Sequence, residues 1–394
     1  MLIATFPRRL ALALFCIIFA LPQIPAVQAG EWEILNKEVL ALAKSAEYAK
    51  GVKLAKKVLK LAEQEKGLNH PDTATSLNNL ALLYYNQGDY KAALPLYHRS
   101  LAIRESALGK NHPDVAQSLN NLALLHYTQG DYKAALPLYR RTLVIMESAL
   151  GKDHPGVATA LNNLAELHRT QGDYDAALPL YRRSLAIRES ALKKNHPDVA
   201  QSLNNLALLH YTRGDYEAAL PLYRRSLAIM ELALGKNHPD VAQLLNNLAL
   251  LYQTQGDYDA ALPLYRRSLV IMESALGKGH PRVALSLNNL ADLHQIQGDY
   301  ESALPLYRRA LVITEKALGK DHPSVATTLY NLALLYQTQG DYDAALPLYR
   351  RALAIEESAL GKDHPSTKVT RDNLAELYDE MGEKAKAAAL RAGK

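Results

Sequence analysis

From His70 to Asn111 the chain reads HPDTATSLNNLALLYYNQGDYKAALPLYHRSLAIRESALGKN, and this 42-residue block returns without insertion or deletion. The pair His-Pro marks each start: His70-Pro71, His112-Pro113, His154-Pro155, His196-Pro197, His238-Pro239, His280-Pro281, His322-Pro323 and His364-Pro365. A fixed period of this length signifies a stacked array of small units, none of which can bury its apolar face alone. Length alone, 394 residues, would suggest two or three domains, but a solenoid grows by stacking and needs no central core.

Within the block, Pro71 suits the first position of a helix, with Asp72 behind it in the first turn. Leu77, Leu80, Ala81 and Tyr84 recur at i, i+3, i+4 and i+7, one apolar helical stripe. Gly88 stops this helix and Asp89 caps the next. The second helix carries Tyr90, Ala93, Leu94, Tyr97 and Leu101 at the same period, with a second flank at Leu96, Ile103 and Ala107. Two flanks require neighbours on two sides. The spacing therefore predicts an all-α solenoid of stacked antiparallel helix pairs. Pro95 and its equivalents up to Pro347 fall inside the second helix, where a local bend is expected.

These residues resemble the tetratricopeptide repeat, whose signature is W-x2-L-G-x2-Y, then A-x3-F, then P. Leu77 stands at the Trp position, Leu80 at the Leu, Ala81 at the Gly, Tyr84 at the Tyr, Ala93 at the Ala and Tyr97 at the Phe. The closing Pro is absent, and the run LAIRESALG lengthens the unit from about 34 residues to 42. This long form is similar to the repeats of kinesin light chains and of many bacterial repeat proteins. The resemblance implies a right-handed superhelix with a concave face lined by first helices. It also implies a protein or peptide ligand.

The chain divides accordingly. Residues 1–29 look like a signal peptide: Arg8 and Arg9, the apolar run Leu10 to Leu21, and a small-residue cleavage site ending at Ala29. The run is short of the ~20 apolar residues of a spanning helix, so an exported form, periplasmic or secreted by a bacterium, is expected to keep no stable membrane anchor. Residues 30–69 form a degenerate capping repeat crowded with Lys44, Lys50, Lys53, Lys56, Lys57 and Lys60. Residues 70–363 hold seven full units, and residues 364–394 a partial capping repeat.

All three Phe and the single Cys lie within residues 1–29, so the mature chain has neither and depends on packing rather than disulfides. Its charge is nearly balanced, 43 basic against 40 acidic residues once Arg8 and Arg9 are removed, which argues against nucleic acid. No nucleophile elbow, Walker loop, HExxH or Cys-based metal pair occurs, so neither catalysis nor a cofactor is expected. The His-Pro histidines stand about 8–10 Å apart between units, too far for shared metal ligation. His126, His168, His210 and His294 replace Tyr84-type residues and are expected to be half-buried. The arginine pairs from Arg140-Arg141 to Arg350-Arg351 have an acid about six residues on, such as Glu147, and suit a solvated face of ion pairs.

The candidate site is an asparagine row at Asn79, Asn121, Asn163, Asn205, Asn247, Asn289, Asn331 and Asn373. In related superhelices, asparagines here face inward and hold the backbone of an extended peptide; the alternative is that they only tie neighbouring helices. Two variable positions should face the same groove. One holds Glu166, Asp292 and Glu376 among leucines. The other holds Tyr85, Tyr127, Arg169 and Tyr211, then three glutamines and Asp379. The expected function is an exported, non-enzymatic scaffold binding a protein or extended peptide. Its alternatives are a recruiting subunit of an envelope hydrolase or protease system, or a structural spacer. The oligomeric state stays open.

Overall fold

A computed structural model describes residues 30–392. The proposed signal peptide and its cleavage site lie outside them. Eighteen helices follow one another, with no strand among the described residues. They come in pairs: α1 (Glu31–Lys44) with α2 (Tyr48–Glu65), α3 (Pro71–Asn86) with α4 (Tyr90–Leu108), α5 (Pro113–Thr128) with α6 (Tyr132–Leu150) and α7 (Pro155–Thr170) with α8 (Tyr174–Ala191). Next are α9 (Pro197–Arg213) with α10 (Tyr216–Leu234), α11 (Pro239–Thr254) with α12 (Tyr258–Leu276) and α13 (Pro281–Ile296) with α14 (Tyr300–Leu318). The last are α15 (Pro323–Thr338) with α16 (Tyr342–Ala359) and α17 (Pro365–Glu380) with the short α18 (Lys384–Arg391). The second helices run unbroken through Pro95 and its equivalents.

Each start has a physical cause. The His of every His-Pro pair is the N-cap, and its Nδ1 accepts the backbone N–H two residues on at 3.0–3.2 Å. Proline at the next position needs no partner for a missing N–H. Asp89 and its equivalents cap the seven second helices α4, α6, α8, α10, α12, α14 and α16, accepting the N–H three residues on at 3.0–3.2 Å.

The core is a spine rather than a centre. Tyr97, Tyr139, Tyr181, Tyr223, Tyr265, Tyr307 and Tyr349 are buried on the second helices. Around Tyr139, Ala123 and Ala135 pack with Leu164 and Leu167 of the next unit. Near the other ends of the helices, Val199, Ile229, Val241, Ile271, Val283 and Ile313 form one cluster across successive units. Truncating one such leucine costs about 2–5 kcal/mol, against about 0–1 kcal/mol for a surface ion pair, so interface packing sets the stability. At the N-terminal end Trp32 is buried and donates from Nε1 to Ser76 Oγ at 2.8 Å, tying α1 to α3.

The array curls far enough to meet itself. His322, at the start of α15, donates from Nε2 to the carbonyl of Asn86, at the end of α3, over 3.1 Å. A Cβ on Gly88 would lie 2.5 Å from Pro323 Cδ, and one on Gly130 would lie 2.9 Å from His364 Cδ2. Ala359 and Leu360 pack against the cluster of Tyr90, Ala93 and Tyr97. His70 and His322 are equivalent residues six units apart, so a turn of the coil takes about six units and successive turns touch.

Candidate functional site on the first helices

The asparagine row lies half-buried between successive first helices, apart from Asn79 and Asn373, which are buried. Four members tie units together. Asn79 donates to Asn36, Asn121 to Asn78, Asn163 to Asn120 and Asn247 to Asn204, at 2.6–2.9 Å. Each bond spends one donor and leaves the rest of that amide.

The row is interrupted elsewhere. Asn205 accepts from Gln201 within its own helix at 2.9 Å. Asn289 and Asn331 make no side-chain hydrogen bond among the described residues. The oxygens they would otherwise meet, Oδ1 of Asn162, Asn246 and Asn288, are buried without a partner in these bonds. Asn373 turns to the Val369 carbonyl at 2.8 Å, because Tyr330 stands where the previous unit would supply an asparagine.

The tyrosines are also engaged. Tyr85, Tyr127 and Tyr211 bond through their hydroxyls to Thr128, Thr170 and Thr254 of the next unit at 2.8–2.9 Å. Each ring lies 5.5–5.8 Å from that of Tyr90, Tyr132 or Tyr216. Gln253 instead donates to Asp292 at 2.6 Å and accepts from Tyr265 at 2.8 Å.

Glu166 and Arg169 make the densest cluster. Glu166 accepts from Arg169 at 2.5 and 2.9 Å, from Tyr181 at 2.8 Å and from Tyr127 at 3.2 Å. Burial disfavours charge on Arg169, yet the adjacent Glu166 carboxylate holds its pKa above the ordinary range. Burial, reinforced by Glu166, raises the pKa of Tyr127 and Tyr181. Arg169 keeps its charge, and its bonds to Glu166 fix the first-helix face of this unit.

The structure adds partners to three features of the sequence reading. The histidine caps were legible as the residue preceding Pro at a helix start. The arginine pairs do form ion pairs, but each second arginine meets the acid of the preceding unit. Arg99–Glu63, Arg141–Glu105, Arg183–Glu147, Arg225–Glu189, Arg267–Glu231, Arg309–Glu273 and Arg351–Glu315 stand at 2.5–2.7 Å. The Tyr84-type histidines are half-buried or buried and reach the next cap, His210 to Asp215 and His294 to Asp299 at 3.0 Å. No group of three or more His, Cys, Asp or Glu able to hold a metal occurs among the described residues. No helix among them is long and apolar enough to cross a membrane.

Comparison with known proteins accords with this architecture. No curated protein matches the sequence. A Rap protein solved with competence and sporulation factor superposes with a TM-score of 0.59 at 15% identity, over 92% of this chain and 96% of that one. Aspartyl phosphate phosphatase F from Bacillus subtilis gives 0.52 at 14% identity, over 94% of both. Nearly identical TPR-like kinesin light chain repeats from Podosopora anserina give 0.43 at 27% identity, over 52% of this chain and 97% of that one. The tetratricopeptide repeat model matches residues 33–106, 78–148, 129–190, 157–232, 198–274, 240–311, 282–358 and 339–390. With the period, the paired helices and a match across nearly the whole described length, the chain belongs to the tetratricopeptide repeat family.

Proposed function

We propose that the chain is an exported, non-enzymatic scaffold that holds an extended peptide, or an extended segment of a protein, along its first-helix face. Tetratricopeptide repeat arrays are protein-interaction scaffolds, and the Rap protein of similar fold was solved with competence and sporulation factor. The observation that carries the proposal is the interrupted asparagine row. The half-exposed amides of Asn289 and Asn331 keep both donors and the acceptor for a ligand backbone. The inter-unit bonds of Asn121 and Asn163 spend part of theirs on the fold. Specificity comes from ring faces at Tyr85, Tyr127 and Tyr211 and from charge at Glu166, Arg169 and Asp292. Export rests on the basic start, apolar run and small-residue site of residues 1–29.

A partner captured from envelope extract supplies the peptides for the test. Asn289→Ala with Asn331→Ala should weaken binding of every peptide and leave the melting curve unchanged. Asn121→Ala with Asn163→Ala should lower the melting temperature. Unchanged affinity in the Asn289/Asn331 variant would overturn the assignment. Mass spectrometry of the mature protein tests export: a start near Gly30 is expected, and an intact Met1 contradicts it.

A further inference from the structure

The contact between turns uses surfaces present in every unit, and most copies of them are open. Gly88 and Gly130 lie against Pro323 and His364, but a Cβ on Gly214, Gly256, Gly298, Gly340 or Gly382 would meet nothing within 4 Å. On the opposite edge, His322 is engaged with Asn86. The side chains of His70, His112, His196 and His238 are 39–43% exposed. One edge of the coil thus presents open glycine loops and the other open His-Pro helix starts. The chain already joins these two surfaces twice, at the same sequence offset.

We infer that a second copy of this chain stacks coaxially, head to tail, seating its open His-Pro starts on the open glycine loops of the first. The register follows from the internal one. If a second set of nine helix pairs continues the coil, Gly214 meets the second copy's His70. Gly256 then meets His112, Gly298 meets His154, Gly340 meets His196 and Gly382 meets His238. Five copies of a contact that the chain makes with itself act in parallel. Such an interface is heterologous and does not close, so association extends beyond a dimer into short filaments.

Sedimentation velocity of the full chain over a concentration series tests this. The sedimentation coefficient should rise with concentration. The blocking variant combines Gly256→Asn, Gly298→Asn and Gly340→Asn. Asparagine tolerates the positive φ of these loops, so the monomer should fold, as a melting curve verifies. Its Cβ would strike the second copy's His-Pro as a Cβ on Gly88 strikes Pro323. The association constant should fall at least tenfold. A wild-type chain that stays monomeric throughout, or a folded variant that associates as the wild type does, overturns the inference.

Discussion

The tripeptide Gln-Gly-Asp occurs at residues 87–89 and again at 297–299, with the same helices on either side. Both glycines have positive φ, +75° and +78°. Around Gly298 there is open space, whereas Gly88 lies under Pro323 and beside a carbonyl bonded to His322. The local sequence dictates the loop in both places. Only position along the coil decides which loop is covered. A unit of this array therefore has two sets of neighbours: the adjacent units, encoded in its apolar flanks, and the unit six further on, encoded nowhere in its own residues.

The largest test of that comparison removes part of the array. Deleting one whole unit, residues 154–195, keeps the helices in phase, because stability is a sum of unit and interface terms. The cooperative melt should survive, and Gly88 should now face His364. Deleting half a unit, 154–174, puts first and second helices out of phase and should abolish the cooperative transition in circular dichroism. Collapse after the whole-unit deletion would contradict the account.

A smaller effect separates the two loops. At Gly298 alanine meets only the strain of a left-handed backbone, about 1–2 kcal/mol. At Gly88 the same substitution adds an overpacked contact with Pro323, typically a further 1–3 kcal/mol. Paired thermal melts should rank Gly88→Ala below Gly298→Ala. Equal melting temperatures would mean that the turns do not touch.

Acid should act on the covered site in a similar range. Burial is the main cause that lowers the His322 pKa to about 4, only partly opposed by its bond to the Asn86 carbonyl. Its Nε2 proton is donated to Asn86 while Nδ1 accepts from Ser324 N–H, so the neutral ring is required. The unfolded or undocked histidine takes a proton more readily. The contribution is thus full above about pH 6.5 and is lost as pH falls towards 4, amounting to about 3 kcal/mol at most. Hydrogen exchange at residues 86–88 should accelerate over that window. His322→Asn retains a capping side chain and should flatten this dependence.

The period, the helix pairs, the caps at Asp89-type residues and the apolar spine were all legible in one unit. They follow from spacing and from residue types with fixed local preferences. The arginine–glutamate pairing was half legible. An acid six residues after an arginine in one unit is also an acid 36 residues before the arginine of the next, and stacking selects the second. The asparagine row was legible as a row but not in its interruptions. Those depend on which neighbour supplies an oxygen, as Tyr330 shows by failing to supply one to Asn373. The closure of the coil could not be read at all, because it accumulates from small rotations at six successive interfaces.

The closed coil fixes a short distance between the loop after α3 and the start of α15. Lys91 and Asp321 are exposed residues flanking the covered loop and the helix start that covers it. In a Cys16→Ser background, spin labels on Lys91→Cys and Asp321→Cys can be measured by double electron–electron resonance. Touching turns predict one short, narrow distance distribution, which broadens and lengthens when Gly88→Asn is added. A long, broad distribution in the otherwise unaltered chain, indifferent to Gly88→Asn, would contradict the closed coil.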